Sequence, residues 1–104
     1  MSTMQDSISV AANSVSVNVL SGLLFEFTDG GELGVSCCGS ATGLRATFIV
    51  GVPLCDDIAI NLQNRFPILP DDIIFSGEVP PGRMILRFRN TTAGALTAFW
   101  RVDS

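Results

Sequence analysis

The chain contains no histidine, no lysine and no tyrosine. Without histidine it lacks the side chain most often used to move protons near neutral pH, so Ser-His-Asp and Cys-His catalysis are excluded. Without lysine it has no P-loop, and no phosphate-binding glycine motif is present. Charge is scarce as well: Asp, Glu and Arg make up 15% of the residues, against a usual ~25%. No apolar run approaches the roughly 18 residues of a membrane span. The start, "MSTMQDSISV", lacks the basic region and apolar stretch of a signal peptide, so synthesis in a cytoplasm without secretion is expected. The three cysteines, Cys37, Cys38 and Cys55, are odd in number and have no C-x-x-C spacing, so they do not form a disulfide framework. They read as small buried hydrophobes, with a Cys37–Cys55 or Cys38–Cys55 bridge as the alternative.

What is present is enough for one domain, residues 1–104, with 47% hydrophobic content. A chain of this length buries roughly two-thirds of the surface its unfolded form exposes, so a core is possible without staples. Few charges on a small surface fit a surface covered by a partner. They equally fit a β domain that uses Ser, Thr and Asn as its polar coat.

The dominant period is two. In "NSVSVNVL", Val15, Val17 and Val19 alternate with Ser14, Ser16 and Asn18, which predicts a half-buried strand preceded by a short one in "SISV". "LLFEF" places Leu23, Phe25 and Phe27 on one side, and Asp29-Gly30-Gly31 is a strong turn. "ELGVSC" sets Leu33, Val35 and Cys37 inward, and "LRATFIVGV" sets Leu44, Ala46, Phe48, Val50 and Val52 together. "VPLCDD" reads as a connection, because Pro53 cannot sit in a central ladder. "IAINL" returns with Ile58, Ile60 and Leu62 inward, "NRFPILPDD" is loop, and "IIFSGEV" is a strand. The last two strands are Arg83 to Asn90 and Leu96 to Asp103. The sum is an all-β fold, an antiparallel β-sandwich or jelly roll of about eight short strands. A helical turn near "LQNRF" is the one exception expected. Val17, Phe27, Phe48, Ile60, Leu86, Phe88 and Trp100 are the expected core.

Three of the six arginines fall in the eight residues "RMILRFRN". Read as a hairpin with the last strand, parity pairs Phe88 with Ala98, Leu86 with Trp100 and Met84 with Val102. The other face then pairs Arg89 with Thr97, Arg87 with Phe99, Ile85 with Arg101, and Arg83 with Asp103. If the strand at 44–52 lies alongside, Arg45 and Ile49 join them. Arg45, Ile49, Ile85, Arg87, Arg89, Phe99 and Arg101 are therefore the candidate protein-interface residues, since arginine interleaved with aliphatic and aromatic groups is typical of interfaces. The bland alternative is a solvated face whose arginine stems cover apolar neighbours. A nucleic-acid surface is disfavoured by the net charge of -4.

The acidic residues Asp29, Glu32, Asp56-Asp57 and Asp71-Asp72 are expected on other surfaces, which suits a chain that meets copies of itself or an acidic partner. The two Asp pairs lack the alternating ligand run of a calcium loop and read as turn formers. No catalytic residue, metal or cofactor is expected, and the chain is read as not an enzyme. A sugar site wants exposed aromatics, and only Phe99, Phe66 and Phe75 offer themselves.

The tail "LRFRNTTAGALTAFWRVD" and the middle "NRFPILPDD" resemble small β-rich structural proteins of tailed bacteriophage particles, over about the last half of the chain. The resemblance implies a virion location and a role as a capsid cement or decoration protein, or a small head or tail component. It carries no site residues across. The expected function is thus a non-enzymatic virion structural protein. It would form a homo-oligomer such as a trimer and stabilise the phage major capsid protein by shared buried area, with no nucleic-acid or membrane partner. The alternative is a small β-sandwich ligand-binding module, for example for carbohydrate.

Overall fold

The computed structural model describes residues 3–23, 26–62 and 72–104. The loop expected at "NRFPILPDD" and the turn near "LQNRF" lie almost wholly outside them, as do Phe25, Phe66 and Asp71. The described chain forms β1 (Thr3–Val10), β2 (Phe27–Thr28), β3 (Gly31–Gly39), β4 (Leu44–Val50), β5 (Val52–Ala59), β6 (Asn61–Leu62), β7 (Ile73–Val79), β8 (Gly82–Asn90) and β9 (Leu96–Asp103). No α-helix occurs among the described residues.

The strands make two packed sheets. The first runs β1-β9-β3, with β7 and β6 both on the far edge of β3, and the second runs β2-β8-β4-β5. Pairing is antiparallel except for the short β3–β6 contact. Alternation places Leu44, Ala46, Phe48 and Val50 of β4 and Met84, Leu86 and Phe88 of β8 on the inner side of one sheet. Leu33, Val35 and Cys37 of β3 and Ala98, Trp100 and Val102 of β9 do the same for the other. Burying each of the larger side chains contributes roughly 1.5–3 kcal/mol, so this two-layer core is the main stabilising term. The β-sandwich expected from the period-two pattern is the fold observed.

The expected last hairpin does not form. β8 pairs with β4 and β2, whereas β9 pairs with β1 and β3. Phe88 therefore lies opposite Ala46, Leu86 opposite Phe48, and Met84 opposite Val50. Residues 91–95 cross between the layers. Buried Asn90 fastens the crossing by donating Nδ2 to the carbonyls of Val10 (3.0 Å) and Gly94 (2.8 Å) while accepting the Thr92 N–H (2.9 Å). Parity requires Leu86 and Phe88 to share a core with Ala98 and Trp100. Facing across two layers satisfies that as well as pairing side by side.

Further expectations are corrected. Residues 14–19 run along the free edge of β8 with their parity reversed. The backbone N–H of Ser16 donates to the Phe88 carbonyl (2.7 Å), while Ser16 Oγ accepts the Phe88 N–H and Asn18 Oδ1 the Leu86 N–H, each at 3.0 Å. With the polar side chains turned to that edge, Val17 is left 73% exposed. Phe27 is 68% exposed, so neither it nor Val17 is core, whereas Phe48, Ile60, Leu86, Phe88 and Trp100 are buried. "VPLCDD" is not a connection but most of β5, an edge strand that tolerates Pro53 because it pairs only with β4. Val52 and Leu62 are exposed. The inward parity of Ile58 and Ile60 ends where Asn61 and Leu62 leave to pair with β3.

Candidate interaction face

β4 and β8 form the centre of the second sheet, and their register sets its outer surface. Ile49 lies opposite Ile85, Thr47 opposite Arg87, and Arg45 opposite Arg89. β5 adds Pro53 opposite Ile49 and Ala59 opposite Arg45. On the other flank Phe27 of β2 lies opposite Arg83, and Val15 bridges to Arg89. Five of the seven candidate residues, Arg45, Ile49, Ile85, Arg87 and Arg89, thus share one outer face.

Phe99 and Arg101 do not belong to it. They stand on the outer side of the first sheet, where Phe99 pairs with Ser7 and Cys38, and Arg101 with Gln5 and Ser36. Arg101 Nε is held by both carboxylate oxygens of Asp103, at 3.0 and 3.1 Å, and Thr3 Oγ1 donates to the same carboxylate at 2.7 Å. Arg87 beside Phe99, Ile85 beside Arg101, Arg89 beside Thr97 and Arg83 beside Asp103 are all replaced by the β4 and β2 pairings, because β8 and β9 lie in different layers.

One carboxylate expected elsewhere is on the arginine face. A bulge places two residues of β5, Asp56 and Asp57, against the single Thr47 of β4. Asp57 takes a left-handed backbone, φ 54°, which Asp tolerates better than most residues. Its N–H donates to Thr47 Oγ1 at 3.1 Å, and its carbonyl accepts Arg45 Nε at 2.8 Å. Its carboxylate takes Arg89 in two hydrogen bonds, the Nε one at 2.9 Å, and Arg45 at 3.2 Å. The hydrogen bonds from Arg89, then the charges of Arg89 and Arg45, hold the Asp57 carboxyl below its ordinary range. The same bonds push the Arg89 guanidinium up. Nothing in the sequence pattern marked Asp57 as a member of this face, since a bulge has no period.

The remaining charges are unevenly matched. Arg83 reaches Glu26 only at 3.9 Å. Arg87 is exposed, and among the described residues it has no ion pair. Among the described residues, the four guanidiniums of this sheet have two carboxylates, Asp57 and Glu26, within ion-pair reach, on a chain whose total charge is -4. Exposed Val15 and Phe27, registered against Arg89 and Arg83, add to the apolar share along its edge.

Two other regions were candidates for chemistry. A cleft of about 520 Å³ opens between the edges of the two sheets, lined by Asp6, Ile8, Val17, Asn18, Arg83 and Trp100. Trp100 is only 2% exposed and offers little ring for a sugar to stack on. Phe75 is tilted against Phe48 with ring centres 5.7 Å apart, and Phe99 is half-buried. The three thiols are free and buried. Cys37 and Cys55 point inward, while Cys38 and Ser36 are buried despite their outward parity. Among the described residues no cluster of acidic or sulfur side chains could hold a metal ion. Comparison of the chain with protein-family models, curated proteins and solved structures finds no match.

Proposed function

We propose that the chain is a non-enzymatic structural protein that assembles through the outer face of the β2-β8-β4-β5 sheet. The observation that carries this reading is the row of Ile85 and Ile49 beside exposed Arg87, whose charge has no ion-pair partner among the described residues. An aliphatic strip next to an uncommitted guanidinium suits a protein partner that offers a carboxylate and an apolar rim. The bound pair Arg89–Asp57 keeps one end of the face rigid, so little order is lost on docking. The setting proposed is a tailed-phage particle, with the chain as a cement, decoration or minor head or tail component contacting copies of itself and the major capsid protein. That setting rests on the sequence resemblance alone.

Arg87→Glu and Ile85→Asn test the face. Both positions point outward, so circular dichroism stays that of the parent, while binding to the particle or self-association falls by about tenfold or more. Unchanged association of both folded variants means that this is a solvated sheet and nothing more. A second reading, a ligand-binding module, rests on the edge cleft, whose volume lies within the range of small-molecule sites. A melting shift with a saccharide panel favours it over assembly.

A further inference from the structure

The arginine face has a complement on the opposite side of the same molecule. Glu32 of β3 and Glu78 of β7 stand directly opposite one another. Both are exposed, and both lie on the outer side of the first sheet, because their chain neighbours Leu33 and Val79 are buried inward. Like charges at opposed positions of an antiparallel pair repel and weaken it. Among the described residues neither carboxylate has an ion pair. Beside them a shallow recess of about 210 Å³ is lined by Glu32, Gly34, Ser76 and Asp103. Its outward position at Gly34 carries no side chain, so a long side chain from outside can lie flat there.

We propose that the occupant of the arginine face is a second copy of this chain, docked by its Glu32–Glu78 edge, with Arg87 of one copy set between the two carboxylates of the next. The proposal rests on the assembly reading above and names its partner. The charges match: an exposed cation without an ion pair on one outer face, two mutually repelling anions on the other. A guanidinium between two carboxylates turns that repulsion into attraction and forms charge-assisted hydrogen bonds. Ile49 and Ile85 contribute the apolar area next to the pair. Because the two patches lie on opposite faces of one sandwich, the contact is heterologous. It builds a closed ring or an open row and not a two-fold dimer.

Sedimentation velocity over a concentration series of the full chain tests this. Arg87→Glu and Glu78→Arg alone should each weaken self-association by about tenfold or more, since like charges then meet across the junction. An equimolar mixture of the two variants, and the double variant, should recover it, because opposite charges face each other again. Glu78→Arg also places a cation opposite Glu32 within one copy, so its melting temperature should not fall, which separates lost association from misfolding. Loss with Arg87→Glu but wild-type association with Glu78→Arg overturns the Glu32–Glu78 edge as the docking site and leaves the arginine face standing. Wild-type association of both single variants overturns the two readings together. A parent chain that stays monomeric at every concentration overturns the second copy, and Arg87→Glu in particle binding then decides the face by itself.

Discussion

Arg89 grips Asp57 across the sheet with two nitrogens along one edge of its guanidinium, Nε to Oδ1 at 2.9 Å and Nη2 to Oδ2. The planar fork matches a carboxylate in a way that a lysine ammonium cannot. With Arg45 on the same carboxylate and on the Asp57 carbonyl, the bulge of β5 is pinned to both β4 and β8. The result is a fixed charge arrangement at one end of the face, next to Arg87, which has no such tie.

The Asp57 carboxyl ionises below its ordinary value of 3.8 in the folded chain, first because Arg89 hydrogen-bonds the charged form. As pH falls, the unfolded chain therefore takes up this proton before the folded one. The stabilisation is complete above about pH 4 and is lost as pH drops through the lowered folded value. Asp57→Asn should be less stable than the parent at pH 7, and the gap should close in strong acid. Urea midpoints at the two pH values measure it. An equal gap at both would show that the carboxylate charge contributes nothing.

Asn18 acts as a piece of strand made from a side chain. Its Oδ1 accepts the N–H groups of Leu86 (3.0 Å) and Leu20 (3.1 Å), and its Nδ2 donates to the Met84 carbonyl at 3.2 Å. It thereby covers an edge of β8 that would otherwise present unpaired backbone groups. Asn18→Ala removes these partners at once and should cost about 1–3 kcal/mol. Val17→Ser, one residue away but exposed, should change stability by less than about 0.5 kcal/mol. Paired chemical denaturation curves compare the two. Equal effects would mean that the edge is capped by water as well as it is by Asn18.

These residues also mark what a sequence of this kind can and cannot disclose. β3, β4, β8 and β9 were legible because each carries several apolar residues in strict alternation, and the two-layer core follows from them. Their partners were not. Alternation fixes which face a residue takes, but not which strand lies beside it, so Arg87 and Phe99 were placed together although they occupy opposite surfaces. The segment around Val15 and Val17 failed for a different reason. Ser16 and Asn18 hydrogen-bond the edge of β8 and so take the inward position that the valines' hydrophobicity suggested for them. Asp57 reached the face through a bulge, where two residues oppose one and the count by twos breaks down. Within the candidate site, the β4 and β8 residues could be read from the period and the ion-pair hub could not.

The thiols supply a prediction at the alkaline end. Burial pushes Cys38 up from 9.0 to about 11, with the nearby Asp72 charge adding to the shift, and burial likewise raises Cys37 and Cys55. Cys55 Sγ also donates to the Ile74 carbonyl at 3.0 Å, which favours its protonated form. At pH 8 only about one Cys38 in a thousand is then a thiolate, the reactive species. A soluble alkylating reagent should leave the folded chain unmodified at that pH and label all three cysteines in denaturant. The linkage follows from the same shifts. Above pH 9 the unfolded chain gives up its thiol protons while the folded chain retains them, so stability should be level below that point and fall as pH rises toward about 11. Cys38→Ala keeps a small buried apolar group and removes one of the titrating thiols, so its urea midpoint should fall less steeply over this range. Rapid labelling of the native chain at pH 8, or the same alkaline slope in the parent and in Cys38→Ala, would show that Cys38 is not held protonated by its burial.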